Sequence, residues 1–277
     1  MVGMEAHMLL KWFYFCLLLP LAACTALPTS GDKADPGVRA NAWTLTPLQQ
    51  GVAPAADPVW KHYPLPGKLA TEFAYSHLDG RHAMAVRANA SASMLRQKVN
   101  IPSDELGDLK FSWKVPKLIA QADLALRDTA DSPVRIMLAF DGDRSKFSVK
   151  NAMLSELSHA ITGEPLPYAT LMYVWCNTRA PGAVIINPRT DRIRKLVVES
   201  GGNHLNQWLD YERDIRADFE KVFGEPPGAL VGIGIMTDSD NTHSTTRAWY
   251  GQLSLASAIG KEHADKTAAH SVIATHQ

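Results

Sequence analysis

The chain has 277 residues, 46% hydrophobic and 20% charged, with lysine plus arginine equal to aspartate plus glutamate at 28 each. A neutral chain lacks the basic surplus on which phosphate-backbone binding relies, so nucleic acid is excluded as a partner. Length and apolar content allow one core-bearing domain of about 200 residues once leader and linker segments are set aside.

Near the N-terminus, Lys11 precedes an apolar run from Trp12 to Leu21, and Leu21-Ala22-Ala23-Cys24 follows. The run is too short for a membrane span and fits a secretory signal ending in a processing site. Its end resembles the bacterial lipobox, which implies cleavage before Cys24, lipidation of the Cys24 thiol and, with Thr25 in the next position, sorting to the outer membrane. On this reading residues 1–23 are a signal peptide and the mature protein sits in the cell envelope. Residues 24–59 are rich in proline and alanine and have no apolar periodicity, so they read as a flexible tether. With Cys16 removed and Cys24 acylated, Cys176 is the sole remaining thiol and no internal disulfide forms. A lone cysteine in an apolar run reads as a buried small hydrophobe.

The folded domain is expected over residues 60–258. Leu109 to Val115 alternates strictly, Leu109, Phe111, Trp113 and Val115 against Lys110, Ser112 and Lys114, which predicts a half-buried antiparallel strand. Further strands are expected at 82–89, 94–99, 134–140, 168–176, 183–187, 195–200, 230–237 and 247–255, separated by turn pairs such as Asp79-Gly80, Asp141-Gly142 and Asn187-Pro188. Trp208, Tyr211, Ile215, Phe219 and Val222 recur at helical spacing, with Asn206 as cap and Gly224 as stop, and a weaker helix is expected at 150–161. Many short strands with few helices predict an all-β fold, a two-sheet antiparallel, jelly-roll-like sandwich with one or two inserted helices. The polar tail, residues 259–277, has no stripe and is expected to be disordered.

The densest polar cluster is Asp238-Ser-Asp240-Asn241-Thr242-His243-Ser244, which follows one apolar strand and precedes another. Loops at one end of a rigid sandwich are placed to bind ligands. Asp238, Asp240 and Asn241 offer hard oxygens that suit calcium, although no EF-hand spacing is present; the competing reading is a hairpin whose side chains cap their own backbone. Asp141-Gly142-Asp143 is a second acidic turn. Aromatic rings can stack on sugar C–H faces. Trp113 and Trp208 are assigned to core positions. Counting parity along the last strand puts Trp249, Leu253 and Leu255 inward and Tyr250 outward as the ligand-facing ring, beside Arg247. No nucleophile elbow, zinc-spaced histidine pair or phosphate loop is present.

Asp131-Ser-Pro-Val-Arg135 leading to Phe140-Asp141, Tyr173-Val-Trp175, Arg213-Asp214 with Asp218, the segment Gly232 to Thr242, and Tyr250-Gly251 together resemble the bacterial family known as domain of unknown function 3047, over about residues 60 to 255. The resemblance implies a secreted or lipid-anchored sandwich, similar in outline to carbohydrate-binding jelly rolls, with no established activity. Its motif residues here are Asp131, Arg135, Asp141, Arg213, Asp214, Asp218, Asp238, Asp240, Asn241 and Tyr250. Ala130 and Gln252 stand where the family pattern often has acidic residues, which weakens a metal or catalytic assignment at those spots. Arg213 and Asp214 read as structural, and Asp131 and Arg135 as pins of a loop.

The leading expectation is an outer-membrane lipoprotein carrying a non-catalytic module that binds glycan or another envelope component through Asp141, Asp238, Asp240, Asn241, Arg247 and Tyr250. The alternatives are an envelope polysaccharide hydrolase using two of Asp141, Asp143, Asp238 and Asp240, and a structural lipoprotein that docks on a protein partner.

Overall fold

The computed structural model describes residues 57–257. The signal and lipobox, most of the expected tether and the tail lie outside the described residues. Thirteen strands are described: β1 (Asp57–Pro64), β2 (Glu72–Leu78), β3 (Arg81–Asn89), β4 (Ala92–Ile101), β5 (Leu106–Lys114), β6 (Ser132–Phe140), β7 (Ala169–Cys176), β8 (Val184–Ile186), β9 (Ile193–Ser200), β10 (Trp208–Asp214), β11 (Leu230–Asp238), β12 (Thr245–Tyr250) and β13 (Ser254–Ser257). Two helices join them, α1 (Val149–Thr162) and α2 (Ile215–Phe223).

The strands form a two-sheet, jelly-roll-like sandwich. One sheet runs β1-β4-β11-β6-β7-β9-β8; the other runs β10-β5-β12-β3-β2, with β13 also on β5. Pairing is antiparallel throughout except between β7 and β9, which are parallel because the chain crosses over through β8. Alternation decides which side chains enter the core. Phe111 and Trp113 from β5, Tyr173 and Trp175 from β7, Leu95 from β4 and Tyr250 from β12 are each at most 2% exposed. The Phe111 ring stacks on Tyr173 across the sheets at 5.6 Å between centroids. Cys176 is buried, as its apolar neighbourhood implies.

The helix expected to open at Asn206 is a strand followed by a shorter helix. Residues 208–214 pair with β5, Leu209 and Tyr211 facing the core while Trp208, Asp210 and Glu212 face outward. Tyr211 satisfies both a period of two and a period of three to four, which is how the helical spacing extended too far. Asp214 is the true cap: its carboxylate accepts from Ala217 N at 2.9 Å, and Gly224 in the left-handed region ends the turn. Ser148 caps α1. This helix turns its polar side inward, with Asn151 Nδ2 on Asp191 and Ser155 Oγ receiving Arg144, and leaves Val149, Met153, Leu157 and Ile161 at least 55% exposed.

Candidate functional site

The expected site residues divide among four places. β6 and β11 run antiparallel with Ser132 opposite Asp238, so Asp131 joins the loop after β11, whereas Asp141 emerges at the far end of β6. Nine residues of strand separate the two ends, roughly 30 Å. Asp141 is exposed and hydrogen-bonds through its backbone to Ala229, so it takes no part in the cluster around Asp238. Arg247 is exposed on the outer face of the six-stranded sheet. Tyr250, expected to face a ligand, is instead wholly buried between the sheets. The strand breaks at Gly251, Gln252 and Leu253, so parity counted back from Leu253 and Leu255 is wrong by one residue for Trp249 and Tyr250. The Tyr250 hydroxyl accepts from Arg135 N at 3.0 Å and donates to the Met236 carbonyl at 2.6 Å, and burial pushes its phenol well up.

Asp238, Asp240 and Asn241 do come together. Asp238 is 4% exposed and takes a two-pronged bond from Arg135, Nε to Oδ1 and Nη2 to Oδ2, both at 2.8 Å. Burial pushes the Asp238 carboxyl up, and the charge of Arg135 opposes that push. Asp131 accepts four bonds from the loop: Asn241 N and Nδ2 at 3.2 and 2.9 Å, Thr242 N and Oγ1 at 2.7 and 2.6 Å. Asp240 pairs with Lys68. One oxygen from each of the three aspartates, Asp131, Asp238 and Asp240, lies within 4.8 Å of the others, whereas calcium was expected on Asp238, Asp240 and Asn241. Each carboxylate is already engaged by N–H, O–H, guanidinium or ammonium donors, so the cluster presents a locked loop rather than a ligand set for a cation. The same bonds bar Asp238 and Asp240 from serving as a free acid/base pair, and Asp143 caps Ser145 N in the exposed turn beyond Asp141. Half-buried Arg213 and buried Asp218 form a third network, in which Tyr173 donates to Asp218 Oδ2 at 2.9 Å and Arg213 Nε to the same atom at 2.8 Å. Most motif residues thus fasten the sandwich.

This loop walls a cleft of about 240 Å³ on the outer face of the seven-stranded sheet, lined also by Met94, Met137, Met172, Met236 and Lys195. On the opposite face of the sandwich lies the aromatic surface that sequence reasoning missed. Trp249 of β12 and Trp208 of β10 both stand opposite Lys114 of β5, so three outward side chains form one row across three strands. The Trp208 ring reaches over β5 toward Gly251, where an added Cβ would lie 3.4 Å from it. Arg81 sits 5.4 Å from the Trp208 ring centre and Arg247 sits 5.3 Å from that of Trp249. Arg81 also grips Asp210 through two bonds, at 2.6 and 3.1 Å, and Lys114 Nζ donates to Asp79 at 2.6 Å. Beside this row a groove of about 680 Å³ is lined by Arg81, His82, Lys110, Asp210, Glu212 and Gln252, among others. Both tryptophans were assigned to the core, Trp208 because of the overextended helix and Trp249 because of the parity break.

Among the described residues these features define a β-sandwich with accessible polar and aromatic groups on both outer faces. The chain belongs to the family described as protein of unknown function (DUF3047), matched over residues 58–254. No curated protein matches. Solved structures it resembles include the family 11 carbohydrate-binding module of the Clostridium thermocellum cellulosomal cellulase Lic26A-Cel5E, at 10% identity over 75% of this chain and 91% of that one, with a TM-score of 0.36. The xyloglucanase domain of NopAA, a type three effector from Sinorhizobium fredii solved with cellobiose, is similar at 12% identity over 72% and 93%, with a TM-score of 0.37. A carbohydrate-binding module specific for non-crystalline cellulose, CBM28, matches at 12% identity over 75% and 95%, with a TM-score of 0.34. Overlaps this loose transfer no residue role.

Proposed function

We propose that this domain is a non-catalytic glycan-binding module of a lipoprotein held at the outer membrane through Cys24. The observation that carries the reading is the Trp249–Lys114–Trp208 row on an open sheet face. Half-buried indole rings on the two strands that flank β5 offer apolar surface for sugar C–H faces, and the arginine beside each ring has a planar N–H fork for the hydroxyls around it. The neighbouring groove adds carboxylate, amide and ammonium groups that can hydrogen-bond an extended chain. Ligand contact then falls to Trp208, Trp249, Arg81 and Arg247, while Asp238, Asp240 and Asn241 shape the opposite cleft. The test is affinity electrophoresis and a glycan array with the purified chain and with Trp249→Ala. Retardation by at least one polysaccharide, reduced about tenfold or more by the substitution, is expected. Retardation by none, or equal retardation of wild type and variant, refutes the reading.

A second reading, docking on a protein partner, is favoured by one feature, the exposed stripe Val149, Met153, Leu157 and Ile161 on α1. Crosslinking at Leu157 in envelope preparations, compared with Trp249, separates the two.

A further inference from the structure

Lys195, in the middle of β9, points to the outer face of the seven-stranded sheet, yet the residue is only 1% exposed. It stands between Met172 of β7 and Ile185 of β8 in register. Its ammonium donates to the Leu124 carbonyl at 2.7 Å, and among the described residues it has no carboxylate at ion-pair distance. The charged groups that act on it are Arg135 from β6, Asp238 from β11, Asp123 from the segment before β6 and Arg179 from the segment after β7. Both aspartates are already committed, Asp238 to Arg135 and Asp123 to Arg179. Burial, with Arg135 adding to it, lowers the Lys195 pKa to about 7. A buried amine with one hydrogen bond and no countercharge is a poor structural device, since a methionine would fill the space without the desolvation cost.

Lys195 is also among the residues that line the cleft of about 240 Å³ walled by Met94, Met137, Met172 and Met236, where the lining cations Lys68, Arg127, Arg135, Arg189 and Lys195 outnumber the carboxylates Asp238 and Asp240. We propose that this cleft is a binding site for a small organic carboxylate, with Lys195 Nζ receiving the carboxylate and the methionine side chains packing against the carbon skeleton. An ammonium has three donors, and the Leu124 carbonyl uses one, so two remain for the ligand. Thioether side chains adapt to irregular carbon bodies, which favours a carboxylic acid over inorganic phosphate. This site lies on the other side of the sandwich from the tryptophan row and stands independently of the glycan reading.

Binding of an anion stabilises the charged amine, so the complex takes up a proton. At pH 8 a group titrating near 7 is about 10% charged, and uptake approaching about 0.9 proton per site is expected on binding. The experiment is calorimetric titration of the full chain at pH 8 in two buffers of different ionisation enthalpy. The probes are D-galacturonate against D-galactose and hexanoate against hexanol. At least one acid binding at least tenfold tighter than its neutral analogue, with proton uptake, supports the site, and which acid it is identifies a sugar or an aliphatic body. Lys195→Met loses both binding and uptake, while Trp249→Ala keeps both. Acids that bind no better than the neutral analogues, binding without proton uptake, or equal binding by a folded Lys195→Met variant would overturn the proposal. The wild-type comparison of acid with neutral analogue decides the matter even where Lys195→Met fails to fold.

Discussion

The Arg135–Asp238 pair makes an asymmetric prediction, because its two members differ in how they can escape burial. Both side chains are 5% exposed, the contact is two-pronged at 2.8 Å, and Asp238 also accepts from Ser132 N at 3.1 Å. In Asp238→Asn the amide keeps the Ser132 bond but leaves a guanidinium that does not lose its proton in water-excluded surroundings, next to Lys195. A broken buried pair costs about 3–5 kcal/mol, or about 6–20 °C in Tm for a domain of this size. Arg135→Met strands the carboxylate instead, and Asp238 can neutralise itself by binding a proton. Its folded pKa, already pushed up by burial, then stands above the unfolded value of 3.8 with the Arg135 charge gone and only the weaker Ser132 N–H bond opposing it. The folded state binds more protons than the unfolded chain between those two values, so the variant's stability falls as pH rises through that window. Urea unfolding at pH 5 and pH 8 measures both substitutions and the double variant. The Asp238→Asn deficit should be larger at pH 5, where Lys195 is charged and loses the Asp238 carboxylate, than at pH 8, the Arg135→Met deficit smaller at pH 5, and the double variant more stable than Asp238→Asn alone. A cost for Asp238→Asn below about 1 kcal/mol, the level of a solvated pair, would refute the assignment of this pair to a water-excluded site.

Three further outcomes follow from the same packing. Lys195 is protonated up to about pH 10.5 in the unfolded chain but only to about 7 when folded, so stability should rise between those values by at most about 1.4 kcal/mol per pH unit, and Lys195→Met should flatten the curve. Above pH 10 the sign reverses, because Tyr173, Tyr211 and Tyr250 hold their protons more tightly in the fold than out of it; chemical denaturation across the pH range checks both limbs. Tyr250→Phe should cost about 1–3 kcal/mol by stranding Arg135 N and the Met236 carbonyl, and should leave polysaccharide retardation unchanged, which affinity electrophoresis measures. A Cβ at Gly228 would overlap the Asp141 carbonyl oxygen, so Gly228→Ala should lower the urea midpoint by the equivalent of about 1–3 kcal/mol.

What could be read before the structure was what the chain encodes locally. Strict alternation at 109–115 located β5, Asp141-Gly142 marked the end of β6, and the apolar runs at 168–176 and 230–237 located β7 and β11 close to their observed ends. Asp238, Asp240 and Asn241 lie together because they are contiguous, and Asp131 bonds to Asn241 while Arg135 bonds to Asp238. The errors arise where one residue satisfies two periods or where a count crosses a break. Tyr211 extended a helix over β10, and Gly251 shifted the parity of β12, and between them they hid both tryptophans of the open face. β2 was missed because only Phe73 and Tyr75 among its seven residues pack on the core, a signal too thin for an edge strand. Lys195 could not have been singled out by any pattern: a lysine in a strand reads as a solvent-facing residue. Its burial comes from Met172 of β7, Ile185 of β8 and Leu124 of the segment before β6, which converge on it only when the sheet is assembled. The cost of burying that amine is set by tertiary structure alone, and so is any ligand that would repay it.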